Sequence, residues 1–452
     1  KKWEELSSRE KSSGFADKEL IPSLLERLKK ELKVELIDLG VVDGLRAPTY
    51  LKPVDEVVFK YIYQTDNAVI RPQSANPPKH TIYPIYNNDG IVYQKHHNFS
   101  AEIQGEGRLW NHFSLYYQPI LKTFEGEEVK VELEKGYLKI EGARIELQVG
   151  RDSLWWGPGY HGSLLMTNNA RPFDLIKLSN PHPFLLPILG PFKFNIFLSR
   201  LDYGEPSVPN PLLYGLRLNI KPHPIFDLGI SQVAIFGGDG RTDLSFGDYL
   251  EILYSNRNLE GKKESNQQVS VDFSLRWPNL DKILPIARSL KFYGEWGAED
   301  TGYPPDRRAY ILGLVLNDLL LFGGMTLRFE YANTSDQYIP QAWYQHGSYP
   351  PVYHNRIFGH HVGSDGEDYF ARLTAYLSPQ ALLGIDFDAE THGKKEAVQT
   401  STYQGGADLE YLLHDRMSVK GRYIIEKFQD PSSIAGGNKI HHLFGLELHL
   451  NF

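Results

Sequence analysis

Gln268–Trp277 reads QVSVDFSLRW: Val269, Val271, Phe273, Leu275 and Trp277 alternate one by one with Gln268, Ser270, Asp272, Ser274 and Arg276. Successive side chains of a strand point to opposite sides, so this period of two gives one apolar and one polar face. The same alternation recurs along the chain. Val129, Val131 and Leu133 stand against Lys130, Glu132 and Glu134; Met325, Leu327, Phe329 and Tyr331 against Thr326, Arg328 and Glu330. Ile385, Phe387 and Ala389 stand against Asp386, Asp388 and Glu390, and Met417, Val419, Tyr423 and Ile425 against Ser418, Lys420, Arg422 and Glu426. The chain ends with Phe444, Leu446, Leu448, Leu450 and Phe452 on one face, and Glu447, His449 and Asn451 on the other. About sixteen such segments of roughly ten residues are present, the length with which a tilted strand crosses a bilayer. Short turns alternate with long loops such as Gly237–Asn266, Gly297–Arg308 and Ala332–Glu367.

Alternation alone does not say which face is buried, since a soluble sandwich or propeller has the same period. Three features favour a membrane barrel. The polar faces carry many charges, the strands exceed the usual ~5–6 residues, and an aromatic residue closes an amphipathic final strand. Composition agrees: aromatics make up 13% of the 452 residues, with 27 Tyr and 23 Phe but 3 Met, and Tyr and Trp favour membrane interfaces. There is no cysteine, which excludes disulfides and thiolate metal sites. A net charge of −8 without a basic stripe argues against nucleic acid as a partner. No apolar run reaches the ~18 residues of a membrane helix; the best, Tyr310–Phe322, is broken by Asn317 and Asp318. The start at Lys1-Lys2-Trp3 suggests a mature product whose targeting segment has been removed.

Three regions follow. Residues 1–46 form a helical segment: Pro22 suits a first turn, and Leu25, Leu28, Leu32, Leu36 and Leu39 recur at helical steps. Glu26 and Lys30 stand at pairing distance, and Gly40 suits a C-terminal stop. Residues 47–89, rich in Pro and Tyr, form an extended connection with room for a first strand. Residues 90–452 form the barrel. The expected fold is therefore all-β, a transmembrane antiparallel β-barrel of about 16–18 strands with a short N-terminal α-helical segment.

One stretch breaks the alternation. From Gly150 to Phe192 the chain runs GRDSLWWGPGYHGSLLMTNNARPFDLIKLSNPHPFLLPILGPF. Its prolines (Pro181, Pro183, Pro187 and Pro191) argue against a long helix or a central strand, so a long loop is expected, of the kind that usually carries function. Gly157, Gly159 and Gly162 spell a dinucleotide-type glycine pattern, but no crossover helix follows and the match is accidental. His360, His361, Asp365 and Asp368 could supply ligands from one loop, yet adjacent strand histidines point apart, and the expectation is no metal and no cofactor. No carboxylate pair stands out as catalytic, so an enzyme is not expected. The stronger signal is aromatics grouped with amides and arginine. Trp155, Trp156, Asn168, Asn169 and Arg171 form one set; Trp343, Tyr344, His346, Tyr349, Tyr353 and Arg356 form another. Flat rings edged by polar groups suit sugars, whose apolar CH faces are rimmed by hydroxyls. The same residues would equally stiffen the loops and plug the barrel mouth.

The run WWGPG, the following SLLMTNNARPF and the later GHHVGSDGED resemble the Wzi capsule-assembly family of bacterial outer-membrane barrels. The resemblance implies eighteen strands, a periplasmic helical bundle, an occluded lumen and a lectin-like role in holding capsular polysaccharide at the cell surface. Its implied partners are capsular or another extracellular polysaccharide and outer-membrane lipid, with polysaccharide export machinery alongside. A transport channel, or an enzyme that modifies surface glycan, are the competing functions.

Overall fold

The computed structural model describes residues 19–38, 41–43, 49–72, 79–82, 85–110, 112–126, 128–202, 208–255, 258–299, 307–321, 323–335, 343–395, 399–429 and 438–452. Among these, eighteen antiparallel strands form the wall. The first nine are β1 (Tyr50–Gln64), β2 (His96–Leu109), β3 (Phe113–Phe124), β4 (Lys130–Gly142), β5 (Ile145–Asp152), β6 (Phe173–Ser179), β7 (Gly190–Arg200), β8 (Leu212–His223) and β9 (Phe226–Phe236). The others are β10 (Ser265–Pro278), β11 (Ala287–Glu299), β12 (Arg307–Leu319), β13 (Met325–Asn333), β14 (Gly366–Ser378), β15 (Ala381–His392), β16 (Thr400–His414), β17 (Met417–Gln429) and β18 (Asn438–Asn451). Val57 stands opposite both Leu450 and Ile103, so the first strand pairs with the last as well as with the second. The sheet is closed, and no strand edge is left to be satisfied in lipid.

Two expectations are corrected here. The barrel begins at Tyr50, not at residue 90: β1 lies within the stretch assigned to the connection, with Pro53 at a bulge between Lys52 and Glu56, where proline is tolerated in a sheet. Similarly, Gly150–Phe192 is not one loop, because β6 lies inside it. A short piece, Phe184–Leu186, continues β6 along β7. Between the two pieces Asn180 replaces the missing ladder bonds, donating from Nδ2 to the Phe192 carbonyl (2.9 Å) and accepting from the Phe194 N–H (2.7 Å). The count of about sixteen strands is short for these reasons of local chemistry.

The wall is inside out relative to a soluble protein. Val271 is 41% exposed while its neighbour Asp272 is 5% exposed. An outward row of Trp296, Tyr310, Tyr331 and Tyr369 crosses four adjacent strands near the long-loop rim, with ring centroids 5.8 Å apart for Tyr310–Tyr331 and 4.7 Å for Tyr331–Tyr369. Trp110, Trp277 and Tyr411 are exposed near the opposite rim. Two aromatic girdles around an apolar band mark the two interfaces of a bilayer.

At the short-turn end, periplasmic in outer-membrane barrels, lie helices α1 (Ile21–Glu31) and α2 (Lys33–Asp38). Docking runs through Leu20, buried against Gly324 and Tyr376, and through the ion pair Lys30–Asp415 (2.6 Å). Lys30 is thus engaged with the barrel rim; Glu26 pairs with Lys29 (2.9 Å) instead. Leu28 and Leu32 remain exposed, and Leu39 and Gly40 lie outside the described residues. At the long-loop end a third helix, α3 (Phe246–Tyr254), starts at a Ser245/Asp248 capping box. It packs Ile252 on outward-facing Tyr214, Ala234 and Phe236.

Candidate functional site

Loop segments 85–95, 153–172 and 343–365 turn inward. The latter two join the wall in one buried apolar cluster that includes Trp156, Leu164, Met166, Trp343, Tyr344, Val352 and Phe358 from the loops. Facing them are Phe197, Leu213, Val233, Ile235 and Ile311 from the wall. On the opposite side, Ile85 and Ile91 pack against Ile62, Phe124, Ile424 and Leu443. At this level the inward face of β7–β9 is largely apolar, while β11, β13, β14 and β15 contribute the buried carboxylates Glu295, Glu299, Glu330, Asp368 and Glu390. Nearer mid-barrel the inward face is charged: Arg372 bridges Asp386 (2.7 Å) and Asp408 (2.8 Å), and Arg422 approaches Asp386 (3.2 Å). Glycine makes room for that network, since a Cβ on Gly384 would lie 2.2 Å from an Arg372 nitrogen.

Wall carboxylates grip the loop backbone. Glu330 accepts hydrogen bonds from the N–H groups of Tyr160 (2.8 Å), His161 (2.9 Å) and Gly162 (3.1 Å), and from the Tyr293 hydroxyl (2.7 Å). Glu295 accepts from Leu164 N–H and Ser163 Oγ, both at 3.0 Å; Glu299 accepts from Tyr344 N–H (2.6 Å) and Gln268 Nε2 (2.9 Å). Charge-assisted bonds of this type are worth about 1.5–3 kcal/mol each. The glycine spacing that mimics a dinucleotide motif serves this grip. A Cβ at Gly162 would sit 2.2 Å from the His360 ring, and one at Gly159 2.0 Å from the Gly162 carbonyl. The three glutamates carry no mark in the sequence, because lumenal carboxylates elsewhere occupy the same alternating positions.

The two aromatic–amide sets meet, but mostly inside. Asn169 donates to the Ile357 carbonyl (2.9 Å) and accepts from Arg356 (3.2 Å), which also reaches the Ile91 carbonyl (3.3 Å) and so touches all three loops. Trp156 stands edge-on to Phe197 at 5.4 Å. Tyr344 hydrogen-bonds the Leu164 carbonyl through its hydroxyl, which accepts from His360 N–H (2.7 Å). Tyr353 stacks on Phe173 and hydrogen-bonds Asp202; Tyr349 donates to the Gly237 carbonyl (2.9 Å). Trp156, Asn169, Trp343, Tyr344, Tyr353 and Arg356 are buried, so none has a ring or fork open to a ligand. Their place is in the plug.

Trp155, Asn168, Arg171 and His346 keep accessible surface. Trp155 donates to the Gly159 carbonyl (3.2 Å), and Arg171 pairs with Glu132 (2.6 Å). His346 Nδ1 accepts the N–H groups of Ser348 (3.2 Å) and Tyr349 (3.1 Å), and burial pushes its imidazole pKa down. His354 and Asn355, exposed at the tip of the hairpin formed by Val352–Tyr353 and Arg356–Ile357, were not singled out by sequence.

Comparison with known proteins places this architecture. Among solved structures, an Escherichia coli outer-membrane protein involved in group 1 capsule assembly, described as a carbohydrate-binding β-barrel, superposes with a TM-score of 0.65 at 16% identity, over 95% of this chain and 89% of that one. A Pseudomonas aeruginosa barrel, OccK2 in complex with glucuronate, follows at TM-score 0.53 and 10% identity, over 88% of this chain and 98% of that one. At these identities the likeness establishes the fold. A 55.8 kDa protein of the Klebsiella pneumoniae cps region is 28% identical over 176 residues, 37% of this chain and 33% of that one, so the match spans about a third of that relative's length. The family model of capsule assembly protein Wzi matches residues 79–439. With a closed eighteen-strand transmembrane wall and a family match over most of its length, the chain is an outer-membrane β-barrel that belongs to the Wzi capsule-assembly family.

Proposed function

We propose that this barrel binds capsular or another extracellular polysaccharide and anchors it at the cell surface, without making or breaking a bond. The observation that carries this reading is the inward-folded loop plug: chain that packs against the wall at the long-loop end opposes passage of solute and leaves the loop surface as the contact face. Family membership and the E. coli structure described as carbohydrate-binding support it. Arg171, His346, His354 and Asn355 belong to that surface, and the buried aromatic–amide set holds it in shape. A polymer offers the same epitope many times to many barrels, so weak single contacts add up through effective concentration.

The test is the distribution of surface polysaccharide between cells and medium, with and without the gene. Unchanged total polymer that moves into the medium supports anchoring. An unchanged distribution refutes it, and a fall in total polymer points to export instead. With the gene intact, conductance in planar bilayers separates anchor from channel: a plugged barrel is silent.

A further inference from the structure

Beneath the plug lies a cluster that neither the wall nor the polysaccharide reading uses. His161 comes from the loop after β5, His361 from the loop before β14, Asp368 from β14 and Glu390 from β15. His361, Asp368 and Glu390 are fully buried and His161 largely so, and one donor atom of each lies within 4.8 Å of the others. Asp368 and Glu390 are direct cross-strand neighbours, a placement in which two like charges repel. Asp388, two residues along the same inward face, adds a third carboxylate beside them.

The spacing of the donors is informative. His361 Nε2 lies 3.0 Å from Glu390 Oε1 and 3.2 Å from Asp368 Oδ2; His161 Nε2 lies 3.6 Å from the same Asp368 oxygen. A tetrahedral ion with bonds of about 2.0–2.1 Å separates its ligand atoms by about 3.3 Å. Asp368 and Glu390 are fully buried, and among the described residues neither Asp368 nor Glu390 Oε1 is met by a Lys or Arg; their near neighbours are the imidazoles themselves. Natural proteins rarely leave a buried carboxylate so. The surrounding groups fix the donors in place. Glu390 Oε2 accepts from His392 (2.8 Å) and from the Tyr86 hydroxyl (3.3 Å), and the Tyr86 ring stacks on His361 at 4.0 Å. Such outer partners orient ligands at metal sites.

We propose that His161, His361, Asp368 and Glu390 bind one divalent transition-metal ion, zinc by the fit of its four-donor shell, which staples both plug loops to the barrel wall. Two imidazoles and two carboxylates suit zinc, and its charge offsets the carboxylate pair. The set differs from the single-loop group suggested by spacing. Asp365 is occupied by Ser335 Oγ (2.6 Å) and Lys395 N–H (2.8 Å), and His161 takes a place that no local motif reveals. The proposal does not depend on which polymer the outer surface binds.

The experiment uses untagged full-length barrel in detergent, loaded with zinc, dialysed against metal-free buffer and assayed for bound metal. One zinc per chain is expected. Cobalt loaded in its place is expected to give the intense visible bands of tetrahedral coordination, abolished by added zinc. His361→Gln and Asp368→Asn, checked for folding by heat-modifiable migration, are expected to weaken binding on the order of 100-fold or more. Replacing the rim pair His96 and His97 by alanine leaves binding unchanged. Failure of the wild-type barrel to retain zinc, or an octahedral cobalt spectrum, overturns the site in favour of a plain ion-pair network. Equal retention by folded His361→Gln and Asp368→Asn assigns the metal to the surface and likewise overturns it.

Discussion

The inward faces of β7–β9 and β12 near the long-loop rim and of β14–β17 at mid-barrel follow the same alternation, yet they are filled differently. Near the rim, inward Phe197, Leu213, Val233 and Ile311 meet Trp156, Trp343 and Phe358 of the folded loops. At mid-barrel, inward Arg372, Asp386, Asp408 and Arg422 meet one another. The contrast teaches that an inward position takes its chemistry from what the lumen brings against it. Packed loops leave room for apolar side chains and for carboxylates that take loop N–H groups, whereas at mid-barrel buried charges are accommodated by pairing with one another.

The comparison breaks most sharply at Trp343, buried beside Gly297, where a Cβ would lie 2.7 Å from the indole. Trp343→Ala is expected to cost about 3–5 kcal/mol, seen as an earlier denaturant midpoint in detergent. A midpoint unchanged from wild type would mean the plug contributes nothing to stability. Next comes Glu330→Gln, which weakens the grip on the 160–162 backbone. It is expected to cost about 1–3 kcal/mol and to turn a silent barrel into one with intermittent openings in planar bilayers. Arg372→Ala, by contrast, leaves Arg422 beside both aspartates. No change in conductance is expected, since these ion pairs join wall strands to one another and not to the plug; openings as frequent as those of the Glu330 variant would erase the distinction between the two sites.

The smallest effect concerns pH. Burial holds the His346 imidazole below its usual pKa, so the ring is neutral where Nδ1 accepts two backbone N–H groups. As pH falls below the unfolded value of about 6.5, the opened loop takes up a proton more readily than the closed one. Stability from this contact is therefore lost toward acid, not toward base. Faster hydrogen exchange at Ser348 and Tyr349 at pH 5 than at pH 7.5, after correction for intrinsic rates, is the expected readout; His346→Ala should remove the difference.

Much of the wall is legible in single segments, because a strand's faces are set by residues two apart. Strand length, lipid-facing alternation and the contrast of short turns with long loops all lie within reach of neighbouring positions. The misjudged stretches are those where local chemistry disguises a strand: Pro53 at a bulge, and Asn180 standing in for ladder bonds between prolines. The candidate site was legible as composition but not as role. Aromatics, amides and Arg356 do gather, yet they gather inward. The glutamates that hold them, and His354 at the exposed hairpin tip, carry no distinguishing pattern.

The sequence by itself therefore pointed to a transmembrane β wall, since two-residue periodicity, strand length, charged polar faces and aromatic content are all local properties of the chain. Only the tertiary structure decided what fills that wall. Glu330 grips residue 160 across 170 positions, and His161 meets Asp388 across 227. An inward carboxylate that anchors a loop and one that faces another ion pair are identical in the alternating code, and they differ only in what the closed barrel brings against them.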